Sequence, residues 1–294
     1  MIMRRQLIFV AAIGMLVVAP GSASAWSLEV HKFIKAQAIP LLAPEIRAFF
    51  QKNESAIVEH AIDPDLWRTV GWLEESPRHF VDMDAYGPYP FKELPHGYDE
   101  AVKRYGLEFV QKNGTLPWRS EEIYKKLVEA FTQQTPYARD NIKLFSSVLA
   151  HYTADAHVPF HAALNYDGQL TGQWGIHSRF EGELFDRYRS RLQLSPNLPG
   201  PVGNPREFVF DTLTASYPFV QPVLDADKAA VEGRDVYDDA YFDQFFGKVK
   251  PILEKRLSDS IADVAAMIAG AWVEAGRPAV PVDVSNPPRK VRRQ

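Results

Sequence analysis

The sequence predicts an all-α protein built as a single multi-helix domain, and three observations support this fold class. Apolar residues recur at helical spacing along most of the chain. No run alternates apolar and polar residues over the length of a strand, and no Asn-Gly turn lies between two such runs. Hydrophobic residues make up 46 % of the chain, which is enough for a substantial core.

The helices can be placed in chain order from their apolar spacing and from the prolines that limit them. The first is predicted to end at Pro40 and the second to begin at Pro44. Residues 75–97, rich in proline and aromatic side chains, are predicted to form a loop. A later helix ends before Pro159, because proline disfavours helical geometry in the preceding residue, and the last helix is long enough to be broken at Pro251. The predicted helices cover residues 27–40, 44–60, 98–112, 119–133, 137–156, 176–191, 204–216 and 238–275.

The N-terminus has the features of an export signal. Arg4 and Arg5 precede an apolar run at residues 7–19, and small residues at 22–25 supply an A-x-A cleavage pattern. The run is too short to cross a bilayer, which takes about 20 apolar residues, and no later segment is long enough. Residues 1–25 are therefore predicted to be a signal peptide, and the mature protein is expected to be secreted or periplasmic, without stable membrane insertion.

Cleavage leaves residues 26–276 as the predicted domain and residues 277–294 as a proline-rich, basic tail that is expected to be disordered. Loss of the two signal arginines moves the formal net charge from −4 to about −6. An acidic domain argues against broad electrostatic binding of nucleic acid unless bound cations reverse the local sign. The chain has no cysteine, so its stability comes from the core or from metal ligation rather than from disulfides.

Histidines and carboxylates in the middle of the chain have the spacing of metal ligands. His151 and Asp155 are four residues apart on a predicted helix, so both project from one face. His177 and Glu181 repeat this spacing, and His161 lies between the two pairs. Each pair alone is equally well explained by a helix ion pair or a hydrogen-bonded core pair, but two pairs that flank a third histidine favour a metal site. Imidazole and carboxylate without thiolate suit zinc, although ligand type alone does not exclude other divalent metals.

Three further stretches complete a pattern with these residues. In AWSLEVH, the predicted mature N-terminus Trp26 precedes His31 by five residues, and in AIDPDLWR and PRHFVDMD, Asp65 precedes His79 by 14 positions. With H-x3-D-x5-H and H-x3-[D/E] following in order, the sequence resembles the trinuclear zinc phosphodiesterases. This superfamily includes bacterial phospholipase C and the single-strand-specific nucleases of fungi and plants. The resemblance covers residues 26–181, and the C-terminal third adds only compatible helices.

The resemblance implies three zinc ions in a cleft between helices. Ligation by Trp26 requires cleavage of the signal after Ala25, because only then does Trp26 have a free amine. The ligands implied for the three ions are, in turn, Asp65, His79, His151 and Asp155; His161, His177 and Glu181; and the amine and carbonyl of Trp26, His31 and a bridging Asp155. The histidines outside the pattern, expected to be solvated or part of the core, are His60, His96 and His157.

The resemblance also implies an activity, that of a hydrolase acting on phosphoester bonds through a metal-activated water. Asp65 is expected to orient or deprotonate that water, and Arg68 to contact phosphate, although a surface ion pair explains Arg68 nearly as well. The expected function is that of a secreted, phospholipase C-like zinc phosphodiesterase, acting as a monomer. A single-strand-specific nuclease or nucleotidase is the alternative, and a helical protein that binds zinc without catalysis is the second alternative.

The sequence leaves the substrate open between a phospholipid head group and single-stranded nucleic acid. The short spacing from Trp26 to His31 and the D-x-x-R at Asp65 are similar to the nucleases, whereas Glu181 as the last ligand and the lack of cysteine are similar to bacterial phospholipase C. Aromatic residues near the ligands would stack on bases or meet acyl chains, but core packing is the better explanation for any one of them. These residues are Trp67, Tyr86, Tyr89, Phe91 and Trp174.

Overall fold

The computed structural model describes residues 27–133, 135 and 137–282, and this part of the chain is all-α, which confirms the predicted fold class. Its residues form helices and the turns between them, without a strand. The helices, in chain order, are α1 Leu28–Ala38, α2 Pro44–Lys52, α3 Glu54–Glu59, α4 Asp63–Thr69, α5 Tyr98–Tyr105, α6 Leu107–Lys112, α7 Leu116–Thr132, α8 Ala138–Asp155, α9 Ile176–Ser178, α10 Leu184–Tyr188, α11 Pro205–Ser216, α12 Val220–Val231 and α13 Asp239–Glu274.

Helix α8 lies at the centre of the domain. It packs against α1, α7 and α13, and its second half is buried on every side. Such a helix is apolar or closely paired around its whole circumference, unlike a surface helix with one apolar stripe. Polar residues in this half of α8 therefore face other elements rather than solvent, which is the condition for an interior site.

Helix α13 runs through Pro251 without the predicted break. Pro251 is exposed, while Val249 and Leu253 on either side of it are fully buried. Burial of this apolar face offsets the hydrogen bond that the proline removes. Among the described residues, no helix combines the length and the hydropathy needed to cross a bilayer.

Two predicted helices are each divided in the structure. The first break falls at Asn53, between α2 and α3. The second falls at Gly106, whose φ of +87° favours glycine and separates α5 from α6. Two helices were not predicted, α4 and α12. Each has a proline in its first turn, Pro64 or Pro222, where the missing N–H is tolerated.

The segment that follows α13 begins against the domain. Nε1 of Trp272 donates a hydrogen bond of 2.9 Å to the carbonyl of Pro278, and Nη2 of Arg139 donates one of 2.6 Å to the carbonyl of Val282. Val280 between them is buried. Residues 277–282 of the predicted tail thus pack on the domain, and the rest of that tail, like the predicted signal peptide, lies outside the described residues.

Candidate metal centre

Five of the predicted ligands converge on the C-terminal half of α8. The helix itself carries His151 and Asp155, and it packs against α1, which carries His31, and α4, which carries Asp65. A 3₁₀ turn over Leu73–His79 also contacts α8 and ends at His79. All five side chains are buried. Residues from four elements distant in sequence therefore meet at one interior position.

Asp155 lies at the centre of this group. Its Oδ1 is 3.3 Å from Nε2 of His31, and its Oδ2 is 3.0 Å from Nδ1 of His79 and 3.3 Å from Nε2 of His151. Nδ1 of His79 is also 3.1 Å from Nε2 of His151. The rings of His31 and His151 stack with their centroids 3.8 Å apart. Three imidazoles thus direct a ring nitrogen toward one carboxylate.

A second group forms where the chain leaves α8. The helix ends at Asp155, and the turn at Pro159 brings His161 beside the first group. Nε2 of His177 is 2.6 Å from Oε1 of Glu181 and 3.1 Å from Nε2 of His161. The second group therefore consists of two imidazoles and one carboxylate, all buried.

His177 and Glu181 are positioned by a helix start that requires glycine. Gly175 has φ +80°, and a Cβ on it would lie 3.0 Å from Nη1 of Arg179. Helix α9 then passes into a π-helical turn, Arg179–Glu183, which contains Glu181. Single π turns inside helices occur frequently at functional sites. The turn keeps the two side chains on one face, as their spacing in the sequence predicts.

Three groups of buried side chains offer ligand atoms close enough together to hold metal ions, the atoms of each group lying within 4.8 Å of one another. Asp65 shares a group with His31, whereas the resemblance places it beside His79, whose Nδ1 is 4.0 Å from Oδ1 of Asp65. Trp26 lies outside the described residues. The groups are His31, Asp65 and His151; His79, His151 and Asp155; and His161, His177 and Glu181.

Unsatisfied atoms in these groups fit a bound cation. Within the described part of the chain, both nitrogens of His31, Oδ2 of Asp65 and Oε2 of Glu181 are buried without a hydrogen-bond partner. Each such atom costs about 1–3 kcal/mol when it stays unpaired. These unpaired atoms are mainly lone-pair acceptors, and acceptors cannot form hydrogen bonds with one another. A divalent cation among them satisfies several at once, so the donor set suits metal ions.

Burial sets the protonation of the same groups. It raises the pKa of Asp155 to about 8 and raises that of Glu181 well above its usual range. Burial lowers the pKa of His31 and of His177 to about 4. The imidazoles are therefore neutral near pH 7, which is the form that binds metal. A bound cation would lower the pKa of Asp155 and Glu181 again, because its positive charge stabilises the ionised carboxylates.

A small cavity of about 60 Å³ opens beside the two groups. Arg68 reaches it from α4, and its Nη2 donates a hydrogen bond of 2.5 Å to Oδ1 of Asp65. The predicted phosphate-contacting residue therefore lies at the edge of the centre, next to a ligand. The residues around the cavity are Arg68, His79, Phe80, Phe160, His161, Tyr166 and His177.

The three histidines outside the sequence pattern have acidic partners away from the described groups. His157, the only one of the three that is buried, points from the end of α8 toward α13. None of them belongs to a candidate metal group among the described residues. The pairs are His60 with Asp63, His96 with Glu207 and His157 with Asp263.

The aromatic residues near the ligands separate into two sets. Tyr86 and Phe91 are buried, and Trp67 packs against the core. Tyr89 and Trp174 are 54 % and 62 % exposed. Core packing therefore explains the first three, and the last two are available to a substrate or partner.

Sequence analysis missed one buried acid beside the centre, Glu75, which is 1 % exposed. Its Oε1 lies 3.9 Å from Nε2 of His79, and its Oε2 accepts a hydrogen bond of 2.6 Å from Nη1 of Arg78. The hydroxyl of Tyr152 donates to Oε1. The four-residue spacing from Glu75 to His79 is a signal that would have found it, but Pro77 between them suggested a loop.

A scan of the sequence against protein-family models found no match, and a search of curated proteins found none. Function is therefore inferred from the residues and their geometry.

Proposed function

We propose that the protein is a zinc-dependent phosphodiesterase of the phospholipase C type, exported from the cell and acting on the head-group phosphoester of phospholipids. The observation that carries this proposal is the set of three adjoining groups of buried His, Asp and Glu side chains. Neutral imidazoles and carboxylates without thiolate match the ligand preference of zinc. The order of these residues along the chain, which resembles that of the trinuclear zinc phosphodiesterases, supports the same conclusion.

The groups would hold three zinc ions, one of them with the amine of Trp26. Ser27, which follows Trp26, packs against Gly182, since a Cβ on Gly182 would lie 3.1 Å from Cβ of Ser27. Gly182 is the neighbour of the ligand Glu181, so the chain just after Trp26 runs beside the centre. The proposed ligand sets are Asp65, His79, His151 and Asp155; His161, His177 and Glu181; and Trp26, His31 and Asp155.

Zinc bound here would polarise the phosphoryl group, acidify water and stabilise the leaving alkoxide. The chain's own groups position the reactants. Asp65 has a buried Oδ2 without a hydrogen-bond partner in the described part of the chain, and this oxygen would orient the attacking water and accept its proton. Arg68, held by the other oxygen of Asp65, would donate to phosphate oxygens. Phe80 and Phe160 line the cavity, and their apolar rings would lower the local dielectric and so strengthen these interactions.

The size of the cavity restricts what enters it. The cavity is small, about 60 Å³, so most of a phospholipid or nucleic-acid substrate would lie outside it. That part would lie on the surface around the opening, close to the segments that contribute Arg68 and Tyr166 to the cavity.

That surface is apolar, and we call it the rim, defined by residues 66–73 and 164–174. These two short segments contain eight of the fifteen exposed large apolar side chains of the described chain, and each contributes one residue, Arg68 or Tyr166, to the lining of the cavity. Exposed apolar patches mark interaction sites, and Trp and Tyr suit a boundary between water and lipid. The eight residues are Leu66, Val70, Trp72, Leu73, Leu164, Tyr166, Leu170 and Trp174.

The charge of the rim favours lipid over nucleic acid. Arg68 and Asp167 are its only charged residues, and Arg68 is paired with Asp65. A protein that follows a nucleic-acid backbone needs several lysines or arginines along the strand. Apolar side chains without such a row fit the surface of a zwitterionic bilayer.

A single-strand-specific nuclease is the second candidate, favoured by the position of Arg68 beside Asp65 and by the exposed rings of Trp72 and Trp174. Bases stack on exposed aromatic rings without sequence preference. The two candidates share the metal centre and differ in what the rim contacts.

The experiment that tests the proposal uses the mature chain, residues 26–294, loaded with zinc. It is assayed on phosphatidylcholine vesicles, on single-stranded DNA and on a small chromogenic phosphodiester. We expect hydrolysis of phosphatidylcholine that a chelator abolishes and added zinc restores. Hydrolysis of DNA but not lipid would establish the nuclease instead, and a fully zinc-loaded protein that cleaves none of the three would leave only the non-catalytic alternative.

A further inference from the structure

We propose that Glu75 is a positioning residue for His79. Its carboxylate accepts a hydrogen bond from Nε2–H of the imidazole and thereby keeps Nδ1 directed toward the metal centre. This inference rests on the proposed function in one respect, that the centre binds zinc. It adds a residue that lies outside the ligand pattern of the sequence.

The two nitrogens of His79 face different surroundings. Nδ1 points into the centre, 3.0 Å from Oδ2 of Asp155 and 3.1 Å from Nε2 of His151. Nε2 points away from it, is buried, and has no hydrogen-bond partner within the described residues. The carboxylate on that side is Glu75, whose Oε1 is 3.9 Å away. A neutral histidine that ligates through Nδ1 carries its proton on Nε2, so this buried N–H requires an acceptor. If the two side chains approach each other by less than an ångström, Oε1 of Glu75 becomes that acceptor.

Two neighbouring histidines show how the other ligands are oriented. Nδ1 of His151 is 2.8 Å from the carbonyl oxygen of Ala61, and Nδ1 of His161 is 2.7 Å from that of His79. In both rings a backbone carbonyl accepts a hydrogen bond from Nδ1–H and leaves Nε2 for the centre. His79 has the opposite orientation, with Nδ1 inward, and in place of a carbonyl it has a carboxylate. The charge makes this acceptor stronger than an amide oxygen.

Glu75 is itself held in place on both oxygens. Oε2 accepts from Nη1 of Arg78 at 2.6 Å, and Oε1 accepts from the hydroxyl of Tyr152. That hydroxyl in turn accepts from Nε of Arg119 at 3.3 Å. A carboxylate that is 1 % exposed is stable only when paired in this way. Tyr152 belongs to α8, so the contact also ties the turn that carries His79 to the helix that carries His151.

The chemical consequence is a carboxylate–histidine–metal arrangement. A carboxylate that accepts the distal N–H fixes the tautomer of the ring and raises the basicity of the ligating nitrogen. Loss of such a partner costs about 10- to 100-fold in metal affinity. Because Glu75 lies beside the ligand His79, the loss should fall on the ion that His79 holds and spare the ion held by His161, His177 and Glu181.

The test measures zinc itself. Zinc is titrated into the chelator-treated mature protein and into Glu75→Gln, which keeps the shape of the side chain and removes its charge. The matched control is Glu74→Gln, the same change at the exposed neighbouring residue. We expect Glu75→Gln to bind one zinc about 10- to 100-fold more weakly, with the other ions and the melting temperature of the zinc-loaded protein close to those of the control. With cobalt in place of zinc, the visible spectrum should change in Glu75→Gln and not in Glu74→Gln.

Two outcomes overturn the proposal. Equal zinc affinity in Glu75→Gln and Glu74→Gln shows that the carboxylate does not act on the ligand. Loss of all ions together, with a large fall in melting temperature, shows that Glu75 only holds the fold. If Glu75→Gln does not fold, Tyr152→Phe decides, because it keeps the carboxylate and removes the hydroxyl that holds Oε1: a selective loss of affinity for one ion supports the proposal, and unchanged affinities overturn it.

The outcomes for Glu75 and for the proposed function are separable. A wild-type protein that binds zinc but hydrolyses no phosphodiester contradicts the proposed function, while the affinity of Glu75→Gln still tests the positioning role. A wild-type protein that hydrolyses its substrate, with Glu75→Gln unchanged in zinc affinity, contradicts only the role of Glu75. A wild-type protein that binds no zinc contradicts both.

Discussion

Two regions of the molecule each bury charged side chains, yet their groups are arranged in opposite ways. Around Arg179, every strong group has a partner of the opposite kind: the guanidinium donates to Asp227 at 3.0 Å, to the hydroxyl of Tyr241 at 3.0 Å and to the carbonyl of Trp174 at 2.8 Å. Gln173 donates to the other oxygen of Asp227 at 2.7 Å. In the metal groups, imidazole nitrogens and carboxylate oxygens converge instead on one another, and several have no partner among the described residues.

The difference separates a structural network from a binding site. Donors that meet acceptors satisfy each other, and the folded chain needs nothing more. Acceptors that meet acceptors leave a deficit of positive charge in a region of low dielectric, and proteins keep such an arrangement where a cation completes it. Burial alone does not distinguish the two regions, because Asp155 and Asp227 are both about 0–1 % exposed. What distinguishes them is whether each buried group faces a partner of the opposite kind or further groups of its own kind.

The largest expected effect comes from Asp155→Asn, which removes the carboxylate shared by the first group. We expect hydrolysis to fall at least about 1,000-fold, or about 4 kcal/mol, because the metal stabilisation of the transition state is lost. Zinc content should fall with it. Folding should be preserved, since Asn replaces a buried carboxylate whose pKa is raised to about 8 by burial. Activity assays, metal analysis and thermal melting check these points.

The matched control for this change is Asp263→Asn, at the carboxylate that pairs with His157. It should keep both zinc and activity. Equal loss in the two variants would mean that Asp155 acts through the fold rather than through the metal.

Asp227→Asn should give the opposite result. It leaves the buried guanidinium of Arg179 without its ion-pair partner, so the free energy of unfolding should fall by about 3 kcal/mol, the lower end of the cost of breaking a buried pair. Zinc stoichiometry of the folded protein should stay as in the wild type. Chemical denaturation and metal analysis measure the two quantities, and a variant that keeps its stability but loses zinc would remove the distinction between the regions.

A third, smaller effect concerns the rim. The combined change Val70→Ser, Leu73→Ser and Leu170→Ser should reduce binding to phosphatidylcholine vesicles and their hydrolysis at least about tenfold, because exposed apolar area that would enter the lipid is removed. Hydrolysis of the small phosphodiester should not change. Vesicle sedimentation and the two assays measure this.

The control for the rim changes the same residue types elsewhere on the surface: Val236→Ser, Leu107→Ser and Leu198→Ser, at side chains that are also exposed. It should behave as the wild type on vesicles. If instead the rim variant loses binding to single-stranded DNA, the nuclease is favoured, and if it dissociates from dimer to monomer, the rim is an interface between copies of the chain.

The last effect is gradual in pH and comes from Lys35, a buried lysine that contrasts with Arg179 in having few partners. Its Nζ donates to the carbonyl of Ser146 at 3.0 Å, and burial lowers its pKa to about 7. In the unfolded chain the pKa is about 10.4. Between these values the unfolded state binds one proton more, so the free energy of unfolding rises with pH.

From about pH 7 to pH 9.5, the free energy of unfolding of the wild type should rise by up to about 1.4 kcal/mol per pH unit relative to that of Lys35→Met. Urea denaturation at several pH values measures the two slopes. Parallel slopes would show that Lys35 titrates in the folded protein as it does in the unfolded chain.

Local features were predictable from the sequence, and long-range ones were not. The spacing of His151 and Asp155 on one helix and the turn at Pro159 follow from helix periodicity and proline geometry. Placing His31 against Asp65 requires the packing of α1 and α4 on α8, which no local pattern contains. Glu75 was missed because its role depends on a 3₁₀ turn that folds across Pro77.

The remaining differences have the same origin. Pro251 did not break α13, because tertiary burial outweighs local backbone preference. The apolar rim was also not predictable, since a leucine in the sequence does not reveal whether it is exposed. The resemblance supplied the ligand pattern, and the structure placed eight of its nine residues, all except Trp26, close together in the interior.

The measurement that tests the central claim most directly is the zinc content of the mature chain after chelation and reconstitution. Elemental analysis of the dialysed protein should give three zinc ions per chain, and these should raise the melting temperature by at least about 10 °C, since each ion bound at 1,000 times its dissociation constant contributes about 4 kcal/mol and each kcal/mol shifts the melting temperature by about 2–4 °C. Asp155→Asn should retain fewer ions, and Asp227→Asn should retain all three. A wild-type chain that holds no zinc and melts at the same temperature with and without it would contradict the account.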